Sequence, residues 1–120
     1  MAQSRVFDFV GHLDLPKKFG FRPTADLSVE EDRALDAIAA AGMAIEINTN
    51  GWNLPATEAY PALNLLRKTH NRSIPLLINS DAHHPDRLVE HFDRARELAR
   101  QAGYEELVRY EQRRRTAYPL

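Results

Sequence analysis

The sequence predicts an α/β fold in which short parallel strands alternate with helices. Three apolar segments have the length of buried strands, and each ends in polar residues: 6–10, 43–48 and 74–78. Segments with the apolar spacing of helices lie between and after them. Strands that alternate with helices pair in parallel through right-handed crossovers. We therefore expect a single unit, residues 1–120, in the order β-α-β-α-β-α.

The first part of the chain holds a strand, a loop and a helix. The strand, Val6 to Val10, ends at Gly11, where the sequence changes to loop residues. Ser28 and Glu31 have the spacing of a capping box, which marks the start of a helix. This helix is predicted from Val29 to Ala41, because a glycine follows as a natural stop.

The rest of the chain repeats the pattern with two strands and two helices. Met43 to Asn48 alternates between apolar and polar residues, and Ile74 to Ile78 is apolar. A short helix is predicted from Ala62 to about Thr69, and a longer one opens at Pro85 and closes at Gly103. The longer helix carries an apolar stripe at helical spacing: Leu88, Phe92, Ala95 and Ala99.

The tail that follows is compatible with two structures. Leu107, Val108 and Tyr110 fit either an extension of the last helix or a fourth strand. We favour a strand from about Val108 to Glu111. Either structure leaves the prediction of one α/β unit unchanged.

Composition excludes several classes of protein. The net charge is −1, so no strong field draws the chain to nucleic acid or to an acidic membrane. The absence of cysteine removes disulfides, thiolate zinc sites and cysteine nucleophiles. No apolar segment approaches the roughly 20 residues of a membrane-spanning helix, and the N-terminus lacks the build of a signal peptide. We expect a cytoplasmic protein with neither nucleic acid nor a membrane as its partner.

The polar residues at the three strand ends suggest a shared pocket. At each end two polar residues lie an even number of positions apart, which places them on one face of the strand. The pairs are Asp8 and His12, Glu46 and Asn48, and Asn79 and Asp81. Strands of a parallel sheet are normally apolar on both faces, and ligand sites lie at the carboxyl ends of such strands. Chance alternation in short segments is the alternative.

Three of these strand-end residues have the chemistry of metal ligands. His12 follows a glycine at a strand end, and Asp81 and His83 are separated by one residue. Histidine and carboxylate ligands without sulfur favour zinc, manganese or iron. Alternatively, His12 is an ordinary loop histidine and Asp81 caps the helix that opens at Pro85. Spacing alone does not decide between these two interpretations.

The remaining histidines and two lysines carry weaker signals. His84 lies beside the proposed ligands and faces either a ligand or solvent. Lys17 and Lys18 follow His12 closely enough to contact a phosphate, although most lysines are simply exposed. His70 and His91 are expected at the surface, the latter on the polar side of the last helix.

Several segments together resemble the PHP family (polymerase and histidinol phosphatase), and within it the histidinol-phosphate phosphatases. They are GHLDLPKKFG at 11–20, ALDAIAAAGMAIEINTNGW at 34–52, EAYP at 58–61 and NSDAHHPD at 79–86. The resemblance covers nearly the whole chain in the right order and spacing. It implies the C-terminal half of a distorted parallel (β/α)7 barrel.

The same resemblance implies a chemistry and a set of site residues. It implies a metal-dependent hydrolase that acts on a phosphate monoester, histidinol phosphate, in histidine biosynthesis. His12, Asp81 and His83 match the family's metal ligands, and the metals would activate a water to attack phosphorus. Glu46 and Asn48 match its E-I-N strand, where Asn48 would orient a metal ligand or the substrate.

The resemblance also predicts what this chain lacks by itself. Complete barrels of this kind need a chain about twice as long, and the His-x-His motif of the family's first strand does not occur here. We expect activity to be lost or impaired without the remaining ligands. The alternative is a non-catalytic, self-associating module derived from the same family. An incomplete barrel leaves two sheet edges unpaired, and such edges favour association, so the expected partner is a second copy or a missing N-terminal half.

Overall fold

The computed structural model describes residues 1–120 as one parallel sheet, one antiparallel hairpin and three α-helices. The parallel strands are β1 (Phe9–Val10), β2 (Ala44–Asn48) and β3 (Leu76–Asn79), in that order across the sheet. The helices are α1 (Ser28–Ala40), α2 (Leu63–His70) and α3 (Phe92–Ala102). The hairpin consists of β4 (Glu106–Glu111) and β5 (Arg114–Pro119). The predicted α/β class and parallel pairing are confirmed, and the sheet is compatible with part of a barrel.

Strand β2 is the centre of the sheet, and all five of its residues are buried. Ile45 and Ile47 are fully buried in the main core, which the helices cover with residues such as Leu35 and Leu66. Burial of each large aliphatic side chain stabilises the fold by about 1.5–3 kcal/mol. Because neighbouring residues of a strand point to opposite faces, the opposite face of β2 carries the polar residue Glu46. The strand thus separates the apolar core from the polar site.

Helix α1 lies within one residue of its predicted bounds, but a different residue caps it. Ser28 is the first helical residue and the N-cap side chain makes no capping bond. Instead, the backbone N–H of Ser28 donates to Asp26 Oδ1 over 2.9 Å. Hydrogen bonds from the backbone and then the side chain of Ser28 lower the pKa of Asp26. The capping-box interpretation of Ser28 was therefore wrong, although the helix start was right.

The last helix begins later than the sequence predicts. Pro85–Arg87 forms only one 3-10 turn, and α3 starts at Phe92. His91 lies between them with a left-handed backbone, φ 62°, which interrupts helical geometry. Leu88 is consequently 64% exposed, so it is not part of the buried stripe. Only the part of the predicted apolar stripe that lies in α3 faces the core, where Ala95 and Ala99 are buried.

The tail forms a hairpin, so the predicted strand is confirmed and a second strand was missed. Gln112 and Arg113 form the two-residue turn, with φ of 47° and 65°. Such turns usually carry asparagine or glycine, so this sequence offered no turn signal. Arg113 donates to the carboxylate of Asp8, with Nη2 3.1 Å from Oδ1. Asp8 therefore pairs with the hairpin and does not join His12, contrary to the prediction from their spacing along the strand.

No helix of the structure combines the length and the apolar character that crossing a membrane requires.

Candidate functional site

His12 and Asp81 meet although 69 residues separate them along the chain. His12 follows β1 and Asp81 follows β3, and the two lie beyond opposite edges of β2. The Nε2 atom of His12 is 3.2 Å from Oδ2 of Asp81. Each side chain is 35% exposed, and each residue has a left-handed backbone, with φ of 50° and 52°. Two of the three predicted ligands are thus adjacent and open to solvent.

The carboxylate of Glu46, in β2, forms hydrogen bonds with the ends of β1 and β3. The residue is 3% exposed, and its Oε1 accepts from the backbone N–H of His12 over 3.1 Å. Its Oε2 accepts from Nδ2 of Asn79 over 2.6 Å. A Cβ atom at Gly11 would lie 2.8 Å from Oε1 of Glu46, so a side chain at this position would displace the carboxylate. Glu46 therefore holds β1 and β3 in position with one carboxylate.

Asn48 determines how the ring of His12 is oriented. Its Oδ1 accepts from the backbone N–H of Asn50 over 3.0 Å, and its Nδ2 donates to Glu46 over 3.2 Å. These two contacts fix the amide, so its NH₂ group faces Nε2 of His12 at 2.9 Å. Nε2 is then an acceptor, and its one lone pair is engaged by the Asn48 amide, with Oδ2 of Asp81 3.2 Å from the same nitrogen. A cation bound at this pair would therefore replace the Asn48 hydrogen bond.

Asp81 is held in its ionised form. Burial is the largest influence and by itself raises the pKa of the carboxyl group. The influences of His12, Asn50 and His83 together outweigh it. The net effect lowers the pKa of Asp81 below its ordinary value, so its carboxylate is available at neutral pH.

The other predicted site residues are not part of this cluster. His83 is exposed, and its Nδ1 lies 2.8 Å from the backbone oxygen of Asp81. His84 is exposed and accepts from the backbone N–H of Asp86 over 3.4 Å. Lys18 lies over the ring of Phe19, 5.6 Å from its centroid. No group of three or more histidine or carboxylate side chains is arranged to hold a metal ion.

A cleft of about 540 Å³ opens over the His12–Asp81 pair. Its polar wall contains Glu46 and Asn79, and its apolar wall contains Phe9, Leu88 and Phe92. A larger cavity of about 690 Å³ lies between the loop after β1 and helices α1 and α2. Because that cavity contains none of the predicted ligands, we place the candidate site in the smaller cleft.

Lys17 is buried among protein oxygens, so the prediction that it contacts a phosphate together with Lys18 is wrong. It is 5% exposed, and its ammonium group donates to the Ala59 carbonyl over 2.7 Å. It also forms ion pairs with Asp14 at 2.7 Å and with Glu58 at 2.8 Å. The spacing of Asp14 and Lys17 was visible in the sequence, but the approach of Glu58 depends on the tertiary fold.

Two histidines expected at the surface have specific contacts instead. The ring of His70 packs edge-on against Tyr104, with centroids 5.0 Å apart. His91 precedes α3 and is not on its polar side; its Nε2 lies 3.0 Å from Oδ1 of Asn53. It also packs edge-on against Trp52 at 5.7 Å. Sequence patterns along one helix could not reveal either contact.

Comparison with known proteins places the chain beside one named relative. No protein-family model matches it. Over 102 residues, 85% of its length, it is 44% identical to a probable histidinol-phosphatase from Deinococcus radiodurans. The aligned part covers 38% of that protein. The resemblance to histidinol-phosphate phosphatases is thereby confirmed, and this chain is related to a probable histidinol-phosphatase of which it spans little more than a third.

Proposed function

We propose that this chain is the C-terminal part of a PHP-type histidinol-phosphate phosphatase, a metal-dependent phosphoric monoester hydrolase of histidine biosynthesis. The name of the Deinococcus radiodurans relative supports the substrate class. The family segments around His12, Glu46 and Asp81 support the chemistry, because these residues also share one site in the fold.

The observation that carries the proposal is the contact between His12 and Asp81. Zinc binds histidine nitrogen and carboxylate oxygen at about 2.0–2.2 Å, so two ligands of one ion are roughly 3.0–3.5 Å apart. Nε2 and Oδ2 are 3.2 Å apart. This pair fits a divalent metal such as zinc, manganese or iron. His83, two residues after Asp81, is the third proposed ligand.

The residues around the pair have defined tasks in this proposal. A bound metal would lower the pKa of a water molecule and polarise the phosphate oxygens. Glu46 holds the backbone of His12, and Asn48 sets the orientation of its ring. Asp81 remains ionised, as its lowered pKa requires. Lys18 and His84 are the proposed substrate contacts at the rim.

The alternative function is a non-catalytic, self-associating module of the same family. Its support is that only two of the proposed ligands converge, while His83 binds the Asp81 carbonyl. An apolar patch of Phe9, Leu88 and Val89 lies beside the cleft and is 37%, 64% and 70% exposed. A second copy that covers this patch is the partner we propose for it.

Metal analysis separates the two functions. We expect the purified chain to retain near-stoichiometric zinc, manganese or iron, measured by elemental mass spectrometry. His12→Ala and Asp81→Ala should lose it, because each removes one of the paired ligands. Asp93→Ala, which removes an exposed carboxylate at the start of α3, is the control and should retain it. A wild-type chain that binds no divalent metal would favour the non-catalytic module.

Phosphate release tests the substrate class. Activity is expected to be impaired in this chain, so with added manganese or zinc we expect slow phosphate release, faster from histidinol phosphate than from a generic aryl phosphate. Asp81→Ala should abolish the release from both. Equal rates for the two substrates would argue against histidinol phosphate as the substrate.

A further inference from the structure

The segment between β3 and α3, residues 80–91, carries two of the proposed metal ligands, Asp81 and His83. Its backbone is left-handed near both ends, with φ of 52° at Asp81 and 62° at His91. A residue other than glycine keeps such a conformation only where its surroundings hold it. The contacts that hold this segment therefore decide where Asp81 lies.

The far end of the segment is attached to the turn that follows β2. Thr49 is 1% exposed, and its hydroxyl donates to the carbonyl of Glu90 over 2.7 Å. Nδ2 of Asn53 donates to Oε2 of Glu90, also over 2.7 Å, and Oδ1 of Asn53 lies 3.0 Å from Nε2 of His91. Apart from the contacts at the proposed metal site, these are the hydrogen bonds that join the segment to the preceding chain.

Among these bonds, the one from Thr49 comes from a buried side chain. Asn53 is exposed, so water can replace its partners. The hydroxyl of Thr49 has no such alternative, because water does not reach it. Its bond to the Glu90 carbonyl is therefore the one whose removal should have the largest effect.

The segment itself is folded into turns, so this attachment reaches Asp81. Backbone hydrogen bonds form successive turns through residues 84–92. The hydroxyl of Ser80 also donates to the carbonyl of Leu88 over 2.9 Å, which closes the loop just before Asp81. A folded loop thus joins Glu90 to Asp81.

Two adjacent residues at the end of β2 consequently hold the two proposed ligands that meet. Asn48 contacts the ring of His12, and Thr49 holds the loop that carries Asp81. We propose that Thr49 is a positioning residue, which keeps Asp81 at the distance from His12 that a divalent cation requires. This inference rests on the metal-dependent function proposed above.

Matched variants of two buried threonines test this role. Thr69, in α2, is 0% exposed, and its hydroxyl donates to the carbonyl of Leu66 over 2.7 Å. Thr49→Val and Thr69→Val each remove one buried hydroxyl and keep nearly the same shape, whereas Thr49→Ser keeps the hydroxyl. We would titrate manganese into each protein by calorimetry and record its thermal midpoint. Amide hydrogen exchange of residues 80–91 would be followed in the metal-free chain.

Thr49→Val should bind manganese about three- to tenfold more weakly, since the hydrogen bond that holds the loop is lost. Its amides in residues 80–91 should exchange faster than those of the wild type. Thr49→Ser should bind manganese as the wild type does. Thr69→Val should have a lower thermal midpoint but unchanged manganese binding and unchanged exchange in this segment.

Equal manganese affinity of wild type and Thr49→Val would overturn the role of Thr49 alone. A loss of affinity in Thr69→Val as large as that in Thr49→Val would overturn it too, because lower stability would then explain both. Unchanged exchange in Thr49→Val would contradict the attachment of the loop. A wild-type chain that binds no manganese would instead overturn the proposed function, and the positioning role with it.

Discussion

Lys17 has three protein oxygens in place of water around its ammonium group. Its side chain is 6% exposed, whereas Asp14 and Glu58 are 22% and 39% exposed. Arg22 also contacts Glu58, at 3.1 Å. This cluster ties the loop after β1 to the segment that ends at Tyr60. A residue that resembles a solvated surface lysine in the sequence thus supports the position of the site.

We expect Lys17→Met to lower the free energy of unfolding by about 2–3 kcal/mol. Removal of one partner of a fully buried ion pair costs about 3–5 kcal/mol, and solvent around the two carboxylates reduces this. Urea denaturation measures the change. Lys18→Met, at the next position, is the control and should change stability by no more than about 0.5 kcal/mol. Equal stability of the two variants would contradict the structural role of Lys17.

The residues that could be predicted from the sequence are those whose position follows from strand ends. His12 and Asp81 lie where parallel strands deliver side chains to one edge, so their proximity was predictable. Lys17 and His70 were not, because their surroundings come from segments distant in the chain. His83 was predicted by its spacing from Asp81, yet its side chain lies on the Asp81 backbone.

At the scale of elements, Tyr104 links three of them. Its hydroxyl bonds Thr69 in α2 and the carbonyl of Ile74 just before β3, while Tyr104 itself follows α3. Burial raises the pKa of this hydroxyl to about 12, although the Thr69 hydrogen bond opposes the shift. The hydrogen bonds of Tyr104 to Thr69 and to Ile74 therefore depend on the protonated hydroxyl.

Stability should therefore fall between pH 10 and pH 12. A tyrosine pKa that folding raises contributes stability that is complete below the unfolded value of about 10. As the pH rises towards 12, the unfolded state loses its proton first, so the free energy of unfolding falls by about 1.4 kcal/mol per unit. Urea denaturation at successive pH values measures this. Tyr104→Phe should be less stable at pH 8, and its difference from wild type should shrink above pH 10. A constant difference would contradict the assignment.

Element types were more predictable than element bounds. Helix α1 and the strands follow from apolar spacing, which records burial directly. The start of α3 was not predictable, because Pro85 begins one turn and His91 then adopts a left-handed backbone. The hairpin turn at Gln112 and Arg113 uses residues that rarely signal a turn.

At the scale of the whole molecule, both edges of the parallel sheet are unpaired, and an apolar patch lies beside one of them. β1 and β3 each pair only with β2, and edges of this kind associate readily unless they are protected. Phe9 on β1 faces the same cleft as Leu88. The parallel sheet was predictable from the sequence, whereas the place and composition of this patch depend on where the segment before α3 lies.

We expect the chain to self-associate through this patch. Light scattering should give an average mass above that of one chain, and the mass should rise with concentration. Leu88→Ser combined with Val89→Ser should shift it towards the monomer, since both side chains are largely exposed. Val29→Ser, an equally exposed apolar position on α1, is the control and should leave the mass unchanged. A clean monomer at high concentration would exclude this mode of association.

The contact between Arg113 and Asp8 joins residues that are 105 positions apart. Tyr110 adds a hydrogen bond to the carbonyl of Asp8 over 3.1 Å. A ribosome that adds about 5–20 residues per second makes Asp8 roughly 5–20 s before Arg113. During that interval β1 has been synthesised, but Tyr110 and Arg113, which bond Asp8 just before β1, have not. The nascent chain thus carries Phe9 without its stacking partner Tyr110, whose ring centroid lies 6.2 Å away in the folded protein, until the hairpin has been made.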